Sequence, residues 1–220
     1  MNVDLARCAV FFDFDNTMTA FDVLDEIIRR FSVTEAWRSL QRAWETGQLG
    51  SKACMEEQLR DVRVTPATLL RYLDTIRLDP SFKPLLALVS ARGAVPVIVS
   101  DNFAPIIEHV LRRHEVAGVP LYANQLRWDG AHLIPSFPYH DPRCPRGCAN
   151  CKRQHLLSDH VVGRHLLYIG DGHSDICPAE RADLVFAKAT LLRHLQQVGR
   201  PCLAFTHLGE VHTYLMRNAR

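Results

Sequence analysis

Two rhythms of apolar and polar residues alternate along the chain. The first is a set of short unbroken apolar runs at residues 9–12, 95–99, 166–169 and 184–187. Runs this short, rich in Val, Ile and Phe and bounded by turn residues, are the signature of strands buried on both faces. The second is an apolar spacing of three and four, which predicts amphipathic helices. It fills residues 23–31, 35–44, 52–60 and 66–76 with scarcely a strand signal, and Thr65 with Pro66 supplies an N-cap and a first-turn proline. Asp79-Pro80 repeats that device ahead of a helix over 82–92, which Gly93 stops. Beyond it the pattern predicts a helix at 104–114 and a hairpin of 119–127 with 131–134 about Asp129-Gly130. A Pro- and Cys-rich loop follows at 135–150, then helices at 152–161 and 174–181. An apolar 202–205 and a last helix close the chain. Strands alternating with helices predict an α/β fold, a parallel sheet with helices on both faces. The helical run at 21–79 is expected as an inserted lid or cap, leaving 1–20 and 80–220 as the core.

Composition narrows the partners. The chain has 220 residues, 47% of them hydrophobic, enough for one substantial core. Its 26 basic residues are scattered and the formal charge is +2, so no electrostatic footprint for nucleic acid is expected. No apolar run approaches the ~20 residues that span a bilayer, and the start does not read as a signal peptide. The expectation is a soluble cytoplasmic protein with no membrane partner. Seven cysteines, three of them in one loop, suit reduced thiols rather than a disulfide framework.

Chemistry concentrates where apolar runs end. Phe12-Asp13-Phe14-Asp15-Asn16-Thr17 places two acids two residues apart, on one side of an extended strand. Two such carboxylates repel unless a cation lies between them or one is protonated, which suits Mg²⁺ with one nucleophilic and one acid/base carboxylate. The plain alternative is a strand running out into a polar turn. A second acidic stretch, Gly170-Asp171-Gly172-His173-Ser174-Asp175, follows the run at 166–169. There Asp171 completes an oxygen shell, and Asp175 serves as ligand or anchor one turn on. Ser100, with Asp101 and Asn102 after the run at 95–99, offers a hydroxyl and free N–H groups to a phosphate, or is a helix cap. Lys152 opens a helix, where its ammonium can neutralise a phosphate or simply lie at the surface.

Taken in order, Asp13/Asp15, Ser100, Lys152 and Asp171/Asp175 resemble the four motifs of the haloacid dehalogenase superfamily across essentially the whole chain. The resemblance implies a Rossmann-like core with its site at the carboxyl ends of the strands, and a C1-type helical cap as in the phosphoserine-phosphatase-like branch. It implies that Asp13 attacks phosphorus to form an aspartyl-phosphate, while Asp15 protonates the leaving oxygen and then activates water. Mg²⁺ would be held by Asp13, Asp15 through its backbone carbonyl, Asp171 and Asp175. Thr17 would brace the nucleophile loop, and Ser100, Asp101, Asn102 and Lys152 would hold the substrate phosphate. The second acid, Asp15, implies phosphatase rather than dehalogenase chemistry.

The Cys144-x-x-x-Cys148-x-x-Cys151-Lys152 loop and Asp183-Leu184-Val185-Phe186-Ala187 resemble the methionine-salvage phosphatases that act on 2-hydroxy-3-keto-5-methylthiopentenyl-1-phosphate. Gly170-Asp171-Gly172 with Asp175-Ile176-Cys177-Pro178 is similar to phosphocholine/phosphoethanolamine phosphatases. Asn16 stands where Gly or Glu is usual, and Ser100-Asp101-Asn102 departs from Ser-Gly-Gly. The expected substrate is a small phosphorylated metabolite, with the methionine-salvage ketone phosphate first and phosphoserine or a phosphorylated amino alcohol as the rival. Asp22, Glu26, Arg60 and Arg63 are candidates for the specificity surface of the cap, or are solvated helix surface. Cys144, Cys148 and Cys151 have structural-zinc spacing, with His140 or His155 as a fourth ligand; the alternative is thiols that are merely packed. A different class of reading is a non-catalytic scaffold that docks partners through that loop, a role with no need for four crowded carboxylates.

Overall fold

The computed structural model describes residues 3–219. Its first strand, β1 (Cys8–Phe12), is followed by four helices, α1 (Val23–Phe31), α2 (Trp37–Glu45), α3 (Ser51–Arg60) and α4 (Pro66–Leu73). Then come α5 (Phe82–Ala91), β2 (Val95–Phe103), α6 (Ala104–Arg113) and the antiparallel pair β3 (Leu121–Asp129) and β4 (His132–Ser136). The remainder is α7 (Lys152–Leu156), β5 (His165–Gly170), α8 (Ile176–Ala179), β6 (Leu184–Ala187), α9 (Ala189–Gln197), β7 (Leu203–Ala204) and α10 (Leu208–Asn218).

The strands form one seven-stranded sheet in the order β4-β3-β2-β1-β5-β6-β7, parallel except for β3 with β4. β1 lies at the centre, and all five of its residues are buried. Alternation divides them between two cores. Val10 and Phe12 pack with Phe82, Leu85 and Leu208 on one face, while Ala9 and Phe11 pack with Tyr168, Leu191 and Leu195 on the other. Phe12 meets the edge of Phe82 at 5.5 Å between ring centroids, and burying such a side chain is worth about 1.5–3 kcal/mol. The doubly covered parallel sheet is the fold expected from the sequence. No helix among the described residues is long and apolar enough to cross a membrane.

The helices between β1 and α5 share the first core through Ile27, Ile28, Leu59, Leu69 and Leu73. Thr19 and Leu78 pair in an isolated antiparallel bridge, so the chain leaves the sheet and returns to it at one place. Asp22 caps α1 by accepting the Asp25 N–H at 2.9 Å, and Thr65 caps α4 from Thr68.

Some boundaries differ from expectation. β2 continues through residue 103, with a register irregularity after Val99, instead of stopping at 99. The helix expected at 152–161 ends at Leu156 and is followed by a single 3₁₀ turn at Asp159–Val161. That expected at 174–181 is a 3₁₀ turn leading into the short α8. The hairpin turns on Gly130-Ala131, because Asp129 is itself paired with His132. Asp79 lies ahead of α5 rather than capping it, and its two oxygens hold the N–H groups of Ser81 and Leu208, tying α10 to the start of α5.

Candidate active site

Three neighbouring strands end side by side, and each delivers a polar group to one cavity of about 430 Å³. Asp13 is the first residue past β1, and its N–H still bonds Ile169 O of β5 at 3.0 Å. Asp13 is 4% exposed. Lys152, the first residue of α7, donates its ammonium to Asp13 Oδ1 at 2.6 Å and to Asp175 Oδ1 at 2.7 Å. Asp175 is further held by the Tyr168 hydroxyl at 2.6 Å and by the N–H groups of Asp171 and Gly172, each at 2.9 Å, on Oδ2. Gly170 makes this possible: a Cβ there would lie 2.6 Å from Asp175 Oδ2. Thr17 donates to Asp171 Oδ1 at 3.3 Å.

Among the described residues, Asp13, Asp171 and Asp175 are the one set of three side chains whose ligand atoms lie within 4.8 Å of one another. With all three carboxylates ionised, the one ammonium leaves two negative charges uncompensated in a buried site. Burial pushes Asp13 well above the usual carboxylate range, and repulsion from Asp175 adds to it. Burial and Asp175 likewise push Asp171 up to about 7. Burial alone would lower Lys152, but Asp13 and Asp175 outweigh it and keep the ammonium charged. All the donors are hard oxygens and the uncompensated charge is that of a divalent ion, so these residues fit Mg²⁺.

Asp15 does not join that set. β1 has already ended, and the turn sends the Asp15 carboxylate to Val23 N at 2.8 Å and to Asn102 Nδ2, at 3.2 and 3.0 Å to its two oxygens. Burial, then repulsion from Asp22, raises it well above the carboxylate range. Ser100 Oγ accepts the Asn102 N–H at 3.0 Å, and Asn102 Oδ1 accepts that of Phe103 at 2.7 Å. Asp101 Oδ2 accepts from Ser51 Oγ at 2.9 Å, while its Oδ1 is buried without a partner. Asp13, Asp15, Ser100, Asp101, Asn102, Lys152 and Asp171 all line the cavity, with Thr17 and Asp175 behind them.

Of the residues considered for specificity, Asp22 lines the cavity. Glu26 and Arg60 do not: they pair along their own helices with Arg29 and Glu57, and Arg63 bonds backbone carbonyls of Arg60 and Val62. Asp25, Trp44, Glu45 and Ser51 line it instead. Trp44 reaches across to His173, with ring centroids 5.8 Å apart. In the sequence these residues look like ordinary amphipathic helix surface, and Tyr168 like plain core. Asn150, also missed, bonds Ser100 O at 2.8 Å and Tyr122 O at 3.0 Å, fixing the loop that leads into Lys152.

The expected zinc site is not assembled. The Cys144 and Cys148 sulfurs approach to 3.7 Å, but Cys151, His140 and His155 complete no set of three with them. His140 Nδ1 bonds Cys148 O at 2.8 Å. His155 bonds Asn150 Oδ1 at 2.7 Å and stacks on Tyr122, and burial, then Lys152, push it down to about 4. The Cys144–Cys148 segment is instead a tight turn docked on the start of α3.

Acidic groups crowded around one buried ammonium, at the carboxyl ends of a parallel sheet, mark the place where such folds bind their ligands. A model of the haloacid dehalogenase-like hydrolases matches residues 10–180, and the chain belongs to that family. Among its relatives is a 2-hydroxy-3-keto-5-methylthiopentenyl-1-phosphate phosphatase of Brevibacillus brevis, 25% identical over 212 residues and covering 93% of each chain. Human phosphoserine phosphatase is 25% identical over 182 residues, covering 81% of this chain and 80% of that protein. A solved phosphoserine phosphatase carrying a phospho-aspartyl intermediate analogue shares the fold, with a TM-score of 0.73 at 19% identity, covering 94% of this chain and 98% of that one.

Proposed function

We propose that the protein is a Mg²⁺-dependent phosphomonoesterase for a small phosphorylated metabolite, with Asp13 as nucleophile and residues 21–79 as its cap. The observation that carries this is the buried Asp13–Lys152–Asp175 array beside Asp171. Lys152 engages only Oδ1 of Asp13, and no group of the described residues bonds Oδ2, which is the oxygen that attacks phosphorus. The ester P–O bond breaks as the Asp13–phosphorus bond forms. The raised proton affinity of Asp15 suits it to protonate the departing alkoxide. Asp15, held by Asn102 and Val23, then takes a proton from water as the water oxygen displaces Asp13 from phosphorus and phosphate leaves. Lys152 and the hydroxyl of Ser100 hold the phosphoryl oxygens. Asp13 and Asp171 would hold Mg²⁺ together with the Asp15 backbone carbonyl. Both Asp175 oxygens are already occupied by Lys152, Tyr168 and two N–H groups, so it anchors the site. Bound there, the ion would supply Lewis-acid neutralisation of phosphoryl charge.

Sequence similarity supports the methionine-salvage ketone phosphate as the first substrate. A second reading rests on the cap, whose Asp22, Asp25 and Glu45 line the cavity together with Trp44 and have no basic partner within ion-pair distance among the described residues. Acids and an aromatic wall suit an ammonium group, which favours a phosphorylated amino acid or amino alcohol. Hydrolysis of an aryl phosphate with Mg²⁺ by the intact protein and by Asp13→Asn tests the chemistry, which should collapse in the variant. Values of kcat/KM over the ketone phosphate, phosphoserine, phosphoethanolamine and phosphocholine decide the substrate. A preference for an amine lost in Asp25→Asn would favour the second reading, and a preference for the ketone phosphate the first.

A further inference from the structure

We propose that Cys144 and Cys148 are an oxidisable dithiol whose closure by a hydroperoxide shifts the loop that seats the cap and Lys152. The two sulfurs are 3.7 Å apart on a turn closed by Gly147 N–H to Cys144 O at 3.0 Å. A disulfide is about 2 Å long, so closure needs a movement of under about 2 Å. Both side chains are partly exposed, unlike the buried Cys8 and Cys54. Burial would raise the Cys144 thiol, but the N–H groups of Cys148 and Arg146, the Cys148 thiol and the Gly147 N–H outweigh it and leave the thiol below its usual range. Burial pushes up Cys8, to about 11, and Cys54, to about 12. Cys144 is therefore the attacking sulfur and Cys148, whose thiol is held protonated by burial, the resolving one.

The chemistry balances with one hydroperoxide. Cys144 sulfur attacks a peroxide oxygen, the O–O bond breaks, and the leaving hydroxide or alkoxide takes a proton, giving a sulfenic acid. Cys148 sulfur then displaces hydroxide from that sulfur, and its proton leaves with the hydroxide as water. Two thiols lose two electrons and the peroxide gains them.

Movement of this turn is coupled to the site by short links. Lys52 N–H donates to Gly147 O at 3.1 Å, and Ala149 N–H to Ser51 Oγ at 2.8 Å, which in turn donates to Asp101. Gly50 and Gly147 touch so closely that a Cβ on Gly50 would lie 2.6 Å from Gly147 O. The next two residues are Asn150, bonded to Ser100 O, and Cys151, which leads into Lys152. The turn thus joins the start of α3, the end of β2 and the start of α7.

The test is to treat the full-length protein with hydrogen peroxide, block free thiols and digest with trypsin. Cleavage after Arg143, Arg146 and Lys152 separates 144–146 from 147–152 unless a disulfide joins them. The expected result is joined peptides that persist in Cys151→Ser and vanish in Cys144→Ser and on adding dithiothreitol. Activity on an aryl phosphate should fall about tenfold or more, since displacements near 1 Å can cost that much. Dithiothreitol should restore it, and Cys144→Ser should resist the loss. Unjoined peptides, linkage through Cys151, or joined peptides with unchanged activity would each overturn the proposal. So would stoichiometric zinc in protein purified without chelator that is lost in Cys144→Ser. The peptide readout stands apart from the phosphatase reading: a protein with no hydrolase activity but with joined peptides would retain the dithiol and remove its coupling to catalysis.

Discussion

Lys152 is the residue on which the buried charges depend. Its side chain is 1% exposed and touches two carboxylates that have no other cationic partner within ion-pair distance among the described residues. Replacing it by Met should leave Asp13 and Asp175 facing each other and Asp171 without compensation. Breaking such a buried array costs about 3–5 kcal/mol, and a lowered midpoint in urea unfolding at neutral pH would show it. An unchanged midpoint would mean that the carboxylates bind protons there and that the ammonium is not what keeps them charged. The acids themselves were legible because each follows a buried apolar run, where a polar residue has no packing reason to be. Asp15 shows the limit of that reading. Spacing along a strand predicts a shared side with Asp13, but β1 stops at Phe12, and the carboxylate turns to Asn102 and Val23. The Cys and His residues of the 140–155 stretch show a second limit. Ligand-like spacing says nothing of whether a ring is already engaged, as His155 is by Asn150 and Tyr122.

Among the elements, the end of β5 and the turn after it carry the strictest geometry. Gly170 lies against Asp175 closely enough that any side chain must displace the carboxylate that receives Lys152. Gly170→Ala should destabilise the fold by about 1–3 kcal/mol, the usual cost of overpacking, and should lower kcat more than it raises KM. Thermal unfolding with steady-state kinetics on an aryl phosphate would check both; normal kcat would separate the turn from catalysis. The strand and helix order was readable because buried parallel strands and amphipathic helices leave different periods. The helices after Lys152 and Ser174 were over-extended for a physical reason. Their apolar spacing continues, but the chain must bend back to feed β5 and to bring Asp175 under Gly170, so α7 and α8 are short. The cavity-facing side of α2 was hidden because Trp44 and Glu45 look like any exposed helix face until the fold brings them to the cavity beside Asp13 and Asp171.

At the scale of the whole molecule, an excess of buried acid makes stability depend on pH and on cations. Burial, then Asp22 and Glu45, push Asp25 up to about 8, and Asp171 is pushed up to about 7, against 3.8 for an unperturbed Asp. Well below pH 3.8 these groups are protonated whether the chain is folded or not, and they impose no penalty. As pH rises between 3.8 and about 8, the unfolded chain releases their protons first, so stability falls until both states are ionised. In EDTA, the melting temperature should therefore drop from pH 5 to pH 8, and the slope should be shallower in Asp25→Asn. Identical slopes would show that Asp25 does not carry this dependence. Added Mg²⁺ should raise the pH 8 melting temperature, because binding to the folded state alone stabilises it; no rise would argue against the metal assignment.

In the proposed mechanism Asp13 carries the phosphoryl group. The most direct test is rapid acid quenching of the protein during turnover of a phosphate ester with Mg²⁺, followed by mass mapping of the peptide that contains residue 13. A phosphoryl adduct on Asp13 should appear before phosphate is released and should be absent, with turnover, in Asp13→Asn. Turnover that persists in Asp13→Asn without any adduct would contradict this mechanism.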